Sequence, residues 1–320
     1  MQKNNSKGVL TDKQRNVVRA IQRWYKRQGR TLPWRLPASR AGNISNPYRI
    51  FISEIMLQQT QVGRVQEKYP AFLRRFPTLR SLARAKQREV ILAWRGMGYN
   101  NRAVRLHKFA QAVTHNHRGK IPRDFDALIA LPGIGKYTAN ALLSSAFGKQ
   151  LPIVDVNVQR VISRVFWRMK STADMRAANV IWKRAEEILP KGRAYDWNQA
   201  LMDLGALVCT ARNPKCEACP VAALCASCAT MTRSLAPRAR REPSLNGIPN
   251  RMYRGKIIER LRHLNGTGSI RADVLAESIS PTYSHRNEKW FRKLLNDLAN
   301  DELIRVRGKG SLRATRVSLA

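Results

Sequence analysis

Three observations predict a mainly α-helical chain that ends in a small mixed module. Apolar residues recur at helical spacing almost to residue 230, β-type runs are nearly absent over that span, and a basic hairpin pattern closes the C-terminus. At 320 residues the chain is long enough for one large domain or two smaller ones with a real core. Lys and Arg number 59 against 21 Asp and Glu, a formal charge of +38. Such an imbalance points to a polyanionic partner, of which nucleic acid is the commonest. No apolar run is long enough to span a bilayer, and "MQKNNSKGVL" is too polar for a secretion signal. A soluble cytoplasmic protein without membrane attachment is expected.

After a flexible N-terminus over residues 1–10, the first helix opens at "TDKQ", where Thr11 caps and Gln14 completes a capping box. Val17, Val18, Ile21, Trp24 and Tyr25 form its apolar face. "RTLPWR", residues 30–35, is a Pro-interrupted loop. In "SNPYRIFISEIMLQQT" Asn46 caps the next helix and Pro47 takes its first position. Ile50, Glu54, Leu57, Gln58 and Gln61 share one stripe of that helix, which reads as an inward face and so raises the question of a carboxylate there. Helical patterns continue through "SLARAKQREVILAWRGMGYNNRAVRLHKFAQAV", "FDALIALPGIGKYTANALLSSAFG", "NVQRVISRVF" and "MRAANVIWKRAEEIL". Residues 229–251, rich in Arg, Pro and Ser, read as a linker between a domain over 11–228 and a module over 252–320. Helices at "YRGKIIERLRHL", "RADVLAESI" and "RNEKWFRKLLNDLAND", then two β-type runs about Gly-Lys-Gly-Ser, make that module a winged-helix pattern. Its third helix carries Arg286, Lys289, Arg292 and Lys293 towards a groove.

Four cysteines spaced Cys209-x6-Cys216-x2-Cys219-x5-Cys225 call for a metal centre, either zinc or an iron–sulfur cluster, and spacing alone does not separate the two. Cys228 lies outside the pattern and reads as a spare thiol. In "LPGIGKYTANALL" Gly133 and Gly135 present bare backbone N–H groups where a new helix begins near Lys136. The helix dipole favours an anion there, so the segment reads as a helix-hairpin-helix that grips a DNA phosphate. In "PIVDVNVQRVISRVF" Asp155 precedes the stripe Val158, Val161, Ile162 and Val165, and by itself reads as an N-cap.

Taken in order, "LPWR", "SEIMLQQTQV", "GMGYNNRA", "LPGIGKYTA", "VDVNVQRV" and the cysteine tail resemble the helix-hairpin-helix DNA glycosylases, most closely their MutY branch of adenine DNA glycosylases, over roughly residues 11–228. The resemblance implies the HhH-GPD fold: two helical subdomains, one holding the hairpin, the other built from the N-terminal segment and the region after Leu151. It implies a [4Fe-4S] cluster on Cys209, Cys216, Cys219 and Cys225. Glu54 would face the cleft that receives an extrahelical base and protonate the departing adenine at N7, partial burial beside Ile50 and Leu57 favouring the proton-donating form. Asp155, oriented by Asn157, would stabilise the cationic sugar. Tyr137 stands where strand-cutting relatives carry a Schiff-base lysine, and Lys136 points elsewhere, which implies a monofunctional reaction leaving an abasic site. Trp34, Arg35, Leu57 and Asp203 would line the adenine pocket. Tyr99 with Gln58 would wedge into the duplex, while Gly133, Gly135 and Lys136 meet its backbone. The implied partner is double-stranded DNA carrying adenine mispaired with 8-oxoguanine or G, met by a monomer at the nucleoid.

Three departures stand out. Val156 replaces the family's usual Gly, Asn100 replaces a common second aromatic, and the C-terminal part does not resemble the Nudix-like domain with which many relatives recognise 8-oxoguanine. Two other readings follow: a mismatch thymine or uracil glycosylase of the same fold, and a non-catalytic DNA-binding protein on that scaffold. Glu54 argues against the first, and the joint presence of Glu54 and Asp155 against the second.

Overall fold

The computed structural model describes residues 10–35, 46–167, 178–228, 242–264, 268–308 and 310–320. They form helices α1 (Asp12–Gln28), α2 (Pro47–Leu57), α3 (Val62–Arg75), α4 (Leu79–Arg84), α5 (Gln87–Ala93) and α6 (Asn101–Asn116). Helices α7 (Phe125–Ile129), α8 (Lys136–Phe147), α9 (Val156–Trp167), α10 (Ala178–Glu187) and α11 (Ala194–Leu207) follow. The chain then runs through β1 (Ser244–Leu245), β2 (Ile248–Pro249), α12 (Asn250–Arg262), β3 (Ile270–Arg271), α13 (Ala272–Ile279), α14 (Glu288–Asn300), β4 (Ile304–Arg307) and β5 (Arg316–Leu319). No described helix is long and apolar enough to cross a membrane.

Local signals set several helix starts. Thr11 and Gln14 form the expected capping box, and the Asn46 side chain accepts the backbone N–H of Tyr48 at 3.0 Å. The helical pattern after residue 80 is broken twice. Ala85 and Lys86 take extended backbone, and Gly96 and Gly98 adopt φ of 82° and 67°.

The described residues divide into two units. The first comprises residues up to 51, 122–130 and 134–238; the second comprises 52–121, 131–133 and 239–320. In the first, the apolar face of α1 (Val17, Val18, Ile21, Trp24) joins Val158, Val161 and Ile162 of α9 and Trp197, Leu201 and Leu204 of α11 in one core. Helices α7 and α8 are grouped with this unit, whereas residues 131–133 of the turn between them are grouped with the second. Polar contacts tie α8 to the segment before α9. Asn140 and Ser144 of α8 are buried, Asn140 donating to the Pro152 carbonyl and Ser144 accepting from Asn198.

In the second unit Phe72, Trp94 and Phe109 are buried, with the Phe72 and Trp94 rings edge-on at 5.9 Å. Its C-terminal part runs α12-β3-α13-α14-β4-β5, with an antiparallel sheet ordered β3-β5-β4, which is winged-helix order and pairing. Ile257, Leu275, Phe291, Leu294 and Val317 fill its core, and Ile91 and Val104 of α5 and α6 join them. The expected linker over 229–251 is shorter at its end. Strands β1 and β2 pair around Asn246-Gly247, both at positive φ (49° and 76°), and α12 begins at Asn250. Asn-Gly is a strong hairpin signal that composition had masked. Residues 229–241 lie outside the described residues.

Candidate active site

Asp155 stands at the start of α9, held by its own neighbours. Its Oδ1 accepts the backbone N–H groups of Asn157 (2.9 Å) and Val158 (2.7 Å), and its Oδ2 accepts Asn157 Nδ2 (2.9 Å). This is N-cap geometry. The approach to it is pinned as well. Asn198 accepts the Ile153 N–H and donates to the Leu151 carbonyl. Asn157 Oδ1 accepts Arg160 Nη2 at 2.9 Å, and the same guanidinium reaches the Gly205 and Cys209 carbonyls at 2.8 Å each. Helix α11 approaches so closely that a Cβ on Gly205 would lie 2.9 Å from Asn157 Cβ. Val156, next to the carboxylate, is 72% exposed.

Arg160 thus connects the Asp155 cap to the cysteine loop. Cys209, Cys216, Cys219 and Cys225 line one small cavity together with Arg164 and Lys215, and Cys228, expected to be a spare thiol, lines it too. Burial pushes the Cys219 thiol up to about 11 and raises Cys216 and Cys225 as well, with neighbouring thiols adding to the rise. Four cysteine thiols around one cavity, with two cations beside them, suit an iron–sulfur cluster. Arg164 Nη1 lies 3.7 Å from Cys209 Sγ and donates to the Thr210 carbonyl at 2.8 Å.

In the same unit Asp203 is fully buried. Arg35 grips it bidentately (Nη1 to Oδ2 2.9 Å, Nη2 to Oδ1 2.8 Å), and Arg30 donates its backbone N–H and its Nε at 2.8 Å each. Burial alone would raise the Asp203 pKa, but hydrogen bonds and charge from Arg35 and Arg30 outweigh it and leave the carboxyl below its usual range. The two residues predicted to line a pocket therefore spend their polar groups on each other, bracing the loop that carries the buried Trp34. Sequence reasoning missed Arg30, whose side chain is 24% exposed against 7% for Arg35. No local pattern marks an arginine that shares a carboxylate 173 residues away.

The hairpin turn carries its glycines for two reasons. Gly133 has φ +78°, and a Cβ there would meet Arg105 Cβ at 3.3 Å. Gly135, the N-cap of α8, has φ −105° and open space around it, and no side chain caps the helix. The first glycine answers to the backbone; the second leaves amides uncovered. Lys136 is exposed with its ammonium 4.4 Å over the Trp182 ring, and Tyr137 is half-buried.

Glu54 and Leu57 belong to the second unit. Phe51, Ile52, Ser53, Ile55 and Met56 are buried, whereas Glu54, Leu57 and Gln58 are half-buried and Gln61 is exposed. The acid's stripe is the open side of a deeply buried helix, not its inward side. Helix α2 is apolar around most of its circumference, so spacing could not phase it.

Arg102 closes the end of this helix. It is 4% exposed. Nη1 donates to the Ile55 and Met56 carbonyls (3.0 Å each) and to that of Gln58. Nη2 reaches Thr60 Oγ1 (2.8 Å) and the Met97 and Gly98 carbonyls (2.9 and 3.1 Å). Burial pulls its pKa down to about 10, which leaves it charged at neutrality. Two non-glycine residues in left-handed conformation flank the grip, Gln59 at φ 53° and Tyr99 at φ 41°. Such strain collects at functional sites. Gln59 is exposed and Tyr99 is 49% exposed, while Gln58 is half-buried with its carbonyl engaged. Gln59 is thus the more available of the two glutamines, which the sequence did not disclose.

Residues 52–187, which include Glu54, Tyr99, the hairpin and Asp155, match the HhH-GPD superfamily base excision DNA repair protein family, and residues 209–225 match the iron-sulfur binding domain of endonuclease III. An adenine DNA glycosylase of Mycolicibacterium smegmatis is 38% identical over 241 residues, which is 75% of this chain and 78% of that protein. The chain belongs to the HhH-GPD superfamily, in its MutY-type branch. Adenine DNA glycosylases of Mycobacterium tuberculosis and Homo sapiens are 41% and 40% identical over 62% and 63% of this MutY-type chain. The matched part spans 63% and 37% of those two proteins. A thermostable thymine-DNA glycosylase superposes with a TM-score of 0.61 at 32% identity, covering 68% of this chain and 98% of that one. A non-covalent endonuclease III–DNA complex shares the fold, with a TM-score of 0.57 at 24% identity over 69% of this chain and 98% of that one.

Proposed function

We propose that this protein is an adenine DNA glycosylase of base excision repair, acting as a monomer on nucleoid DNA. Its substrate is double-stranded DNA with adenine opposite 8-oxoguanine or G. The observation that carries the reading is the presence of two differently held carboxylates in a MutY-type chain: Glu54 on the open side of α2 and Asp155 at the cap of α9. Glu54 gives a proton to N7 of an extrahelical adenine, the C1′–N9 bond breaks with its electron pair leaving on the base, and Asp155 offsets the positive charge left on the sugar. Water adds to C1′ and releases a proton, leaving an abasic site and free adenine.

The other residues bind and orient. Trp34, braced by Arg30, Arg35 and Asp203, is the aromatic surface for the base, and Leu57, half-buried on α2, is an apolar residue for it. Tyr99 and Gln59 enter the duplex in place of the lost stacking partner. The uncapped start of α8 at Gly135 takes a backbone phosphate. Tyr137 offers no amine, and the Lys136 ammonium is engaged with Trp182, so no Schiff base forms and the strand stays uncut. Cys209, Cys216, Cys219 and Cys225 would hold the [4Fe-4S] cluster, which ties down the loop that Arg160 and Arg164 brace.

A thymine-excising activity is the second reading, favoured by the 32% identity with a thymine-DNA glycosylase structure. Single-turnover excision on duplexes carrying A opposite 8-oxoguanine, A opposite G, T opposite G and U opposite G separates the two. Adenine release from the first pair is expected. Release of thymine or uracil alone would overturn the proposal, and a borohydride-trapped enzyme–DNA adduct would overturn its monofunctional part.

A further inference from the structure

We propose that the C-terminal winged helix is a second duplex-DNA contact, with the exposed face of α14 as its groove-facing surface. Lys289, Lys293 and Asn296 are exposed on α14 at spacings of four and three residues, which is one helical stripe, and Arg286, in the single turn before the helix, is exposed as well. With His285 and Arg292 they line an open groove. The only carboxylate in that lining, Glu288, is taken by Arg292, whose Nη2 lies 2.6 Å from its Oε1. Arg292 also donates to the Gly310 carbonyl at 2.6 Å, which ties the β4–β5 turn to α14. That turn needs glycine: Gly308 has φ +96°, and a Cβ on it would lie 2.2 Å from the Ala314 carbonyl oxygen. Strand β4 exposes Arg305 and Arg307. A helix with a basic outer stripe, beside a short basic wing, suits a major groove flanked by phosphates. An acidic protein surface would suit the charge but not the helix-and-wing shape.

The module is mounted firmly on α5 and α6. Gln87 donates to the Glu302 carbonyl at 2.6 Å, Arg88 donates to that of Leu264 at 2.9 Å, and Lys108 pairs with the Glu302 carboxylate. The test uses the full chain and the triple variant Arg286→Gln, Lys289→Gln, Lys293→Gln on an undamaged 30-base-pair duplex at several salt concentrations. The expected result is at least about a tenfold loss of affinity, with the log–log salt slope falling by about 0.9 for each phosphate contact removed. An unchanged slope and affinity overturns the proposal. Should the triple variant unfold, Lys289→Gln and Lys293→Gln are measured singly, each expected to lower the slope. Undamaged duplex keeps this result separate from whether adenine is excised.

A different observation carries a second inference: the geometry points to Arg262 as a positioning residue for the Tyr99–Asn100 turn, which rests on the reading of Tyr99 as the wedge. The Arg262 side chain is 5% exposed, and its Nη2 donates to Asn100 Oδ1 (2.8 Å) and to the Ile91 carbonyl (2.9 Å). Asn is among the best N-cap residues, yet Asn100 stands at the N-cap of α6 without a side-chain cap bond. Its amide serves the C-terminal module instead.

The test compares the full chain with Asn100→Ala, Arg262→Lys and the double variant on a mispaired duplex containing 2-aminopurine, reading fluorescence as the base unstacks. Each single variant is expected to lower the unstacked signal several-fold, with the double variant no worse than either. Equal signal in all four proteins overturns the inference while leaving the wedge intact. No unstacking by the unaltered protein sinks the wedge reading and this inference together. A purely structural role would lower thermal stability without moving the fluorescence amplitude.

Discussion

The two carboxylates are held in opposite ways. Asp155 is fixed by groups two and three residues along the chain, through a cap that any Asp before a helix could form. Glu54 rides on a helix whose last carbonyls are satisfied by Arg102, 44 to 47 residues later. One site is built by local geometry and the other by a single long-range side chain. Damage should therefore show differently in the two: as lost chemistry around Asp155, and as lost stability around Glu54.

Removing either acid is the largest expected effect. Glu54→Gln and Asp155→Asn should each slow single-turnover base release by roughly a hundred- to ten-thousand-fold, with duplex affinity nearly unchanged. A near-normal rate in either variant removes that residue from the chemistry. Next come the supports. Arg102→Met orphans several buried carbonyls and should cost about 3 kcal/mol or more in urea unfolding. Asn157→Ala should cost about 1 kcal/mol yet lower base release about tenfold, judged against the general acid–base scale. Equal stability losses would erase the contrast between the two regions.

The hairpin glycines sharpen the same distinction between backbone and ligand. Gly133→Ala, at φ +78°, should lose about 1 kcal/mol in thermal unfolding. Gly135→Ala should leave stability alone and weaken duplex binding, because its methyl would cover the open amides. A loss of stability at Gly135 would count against the phosphate role.

The smallest effect belongs to His107, buried in α6. Burial pushes its pKa down, against a weaker upward pull from the carbonyls of Ala85 and Ala83. The unfolded chain, with an imidazole near 6.5, therefore takes up the proton more readily. The stabilising contribution is present above about pH 6.5 and fades as pH falls below it. Unfolding measured from pH 7.5 to 5 should show the decline, and His107→Gln should flatten it.

Much of the site was legible because its signals are short-range. The Asp155 cap, the cysteine spacing and the glycine turn each lie within a few residues of the groups they control. The face of α2 was not legible, since that helix is apolar nearly all round. Nor was the greater exposure of Gln59 than of Gln58, because a positive φ in a non-glycine residue leaves no mark in the sequence. The β1–β2 hairpin was missed for a simpler reason: an Arg- and Pro-rich composition concealed its Asn-Gly turn.

By itself the sequence determined the helical character, the caps at Thr11, Asn46 and Asp155, the four-cysteine motif and the basic C-terminal module. These rest on backbone geometry and side chains close in the chain. Only the tertiary structure decided that Arg30 and Arg35 both grip Asp203, that Arg102 gathers the carbonyls after Glu54, and that Asn100 answers to Arg262. Each of these is a polar group needing a partner once water is excluded, and the partner is supplied from 44 to 173 residues away, where no local pattern can announce it.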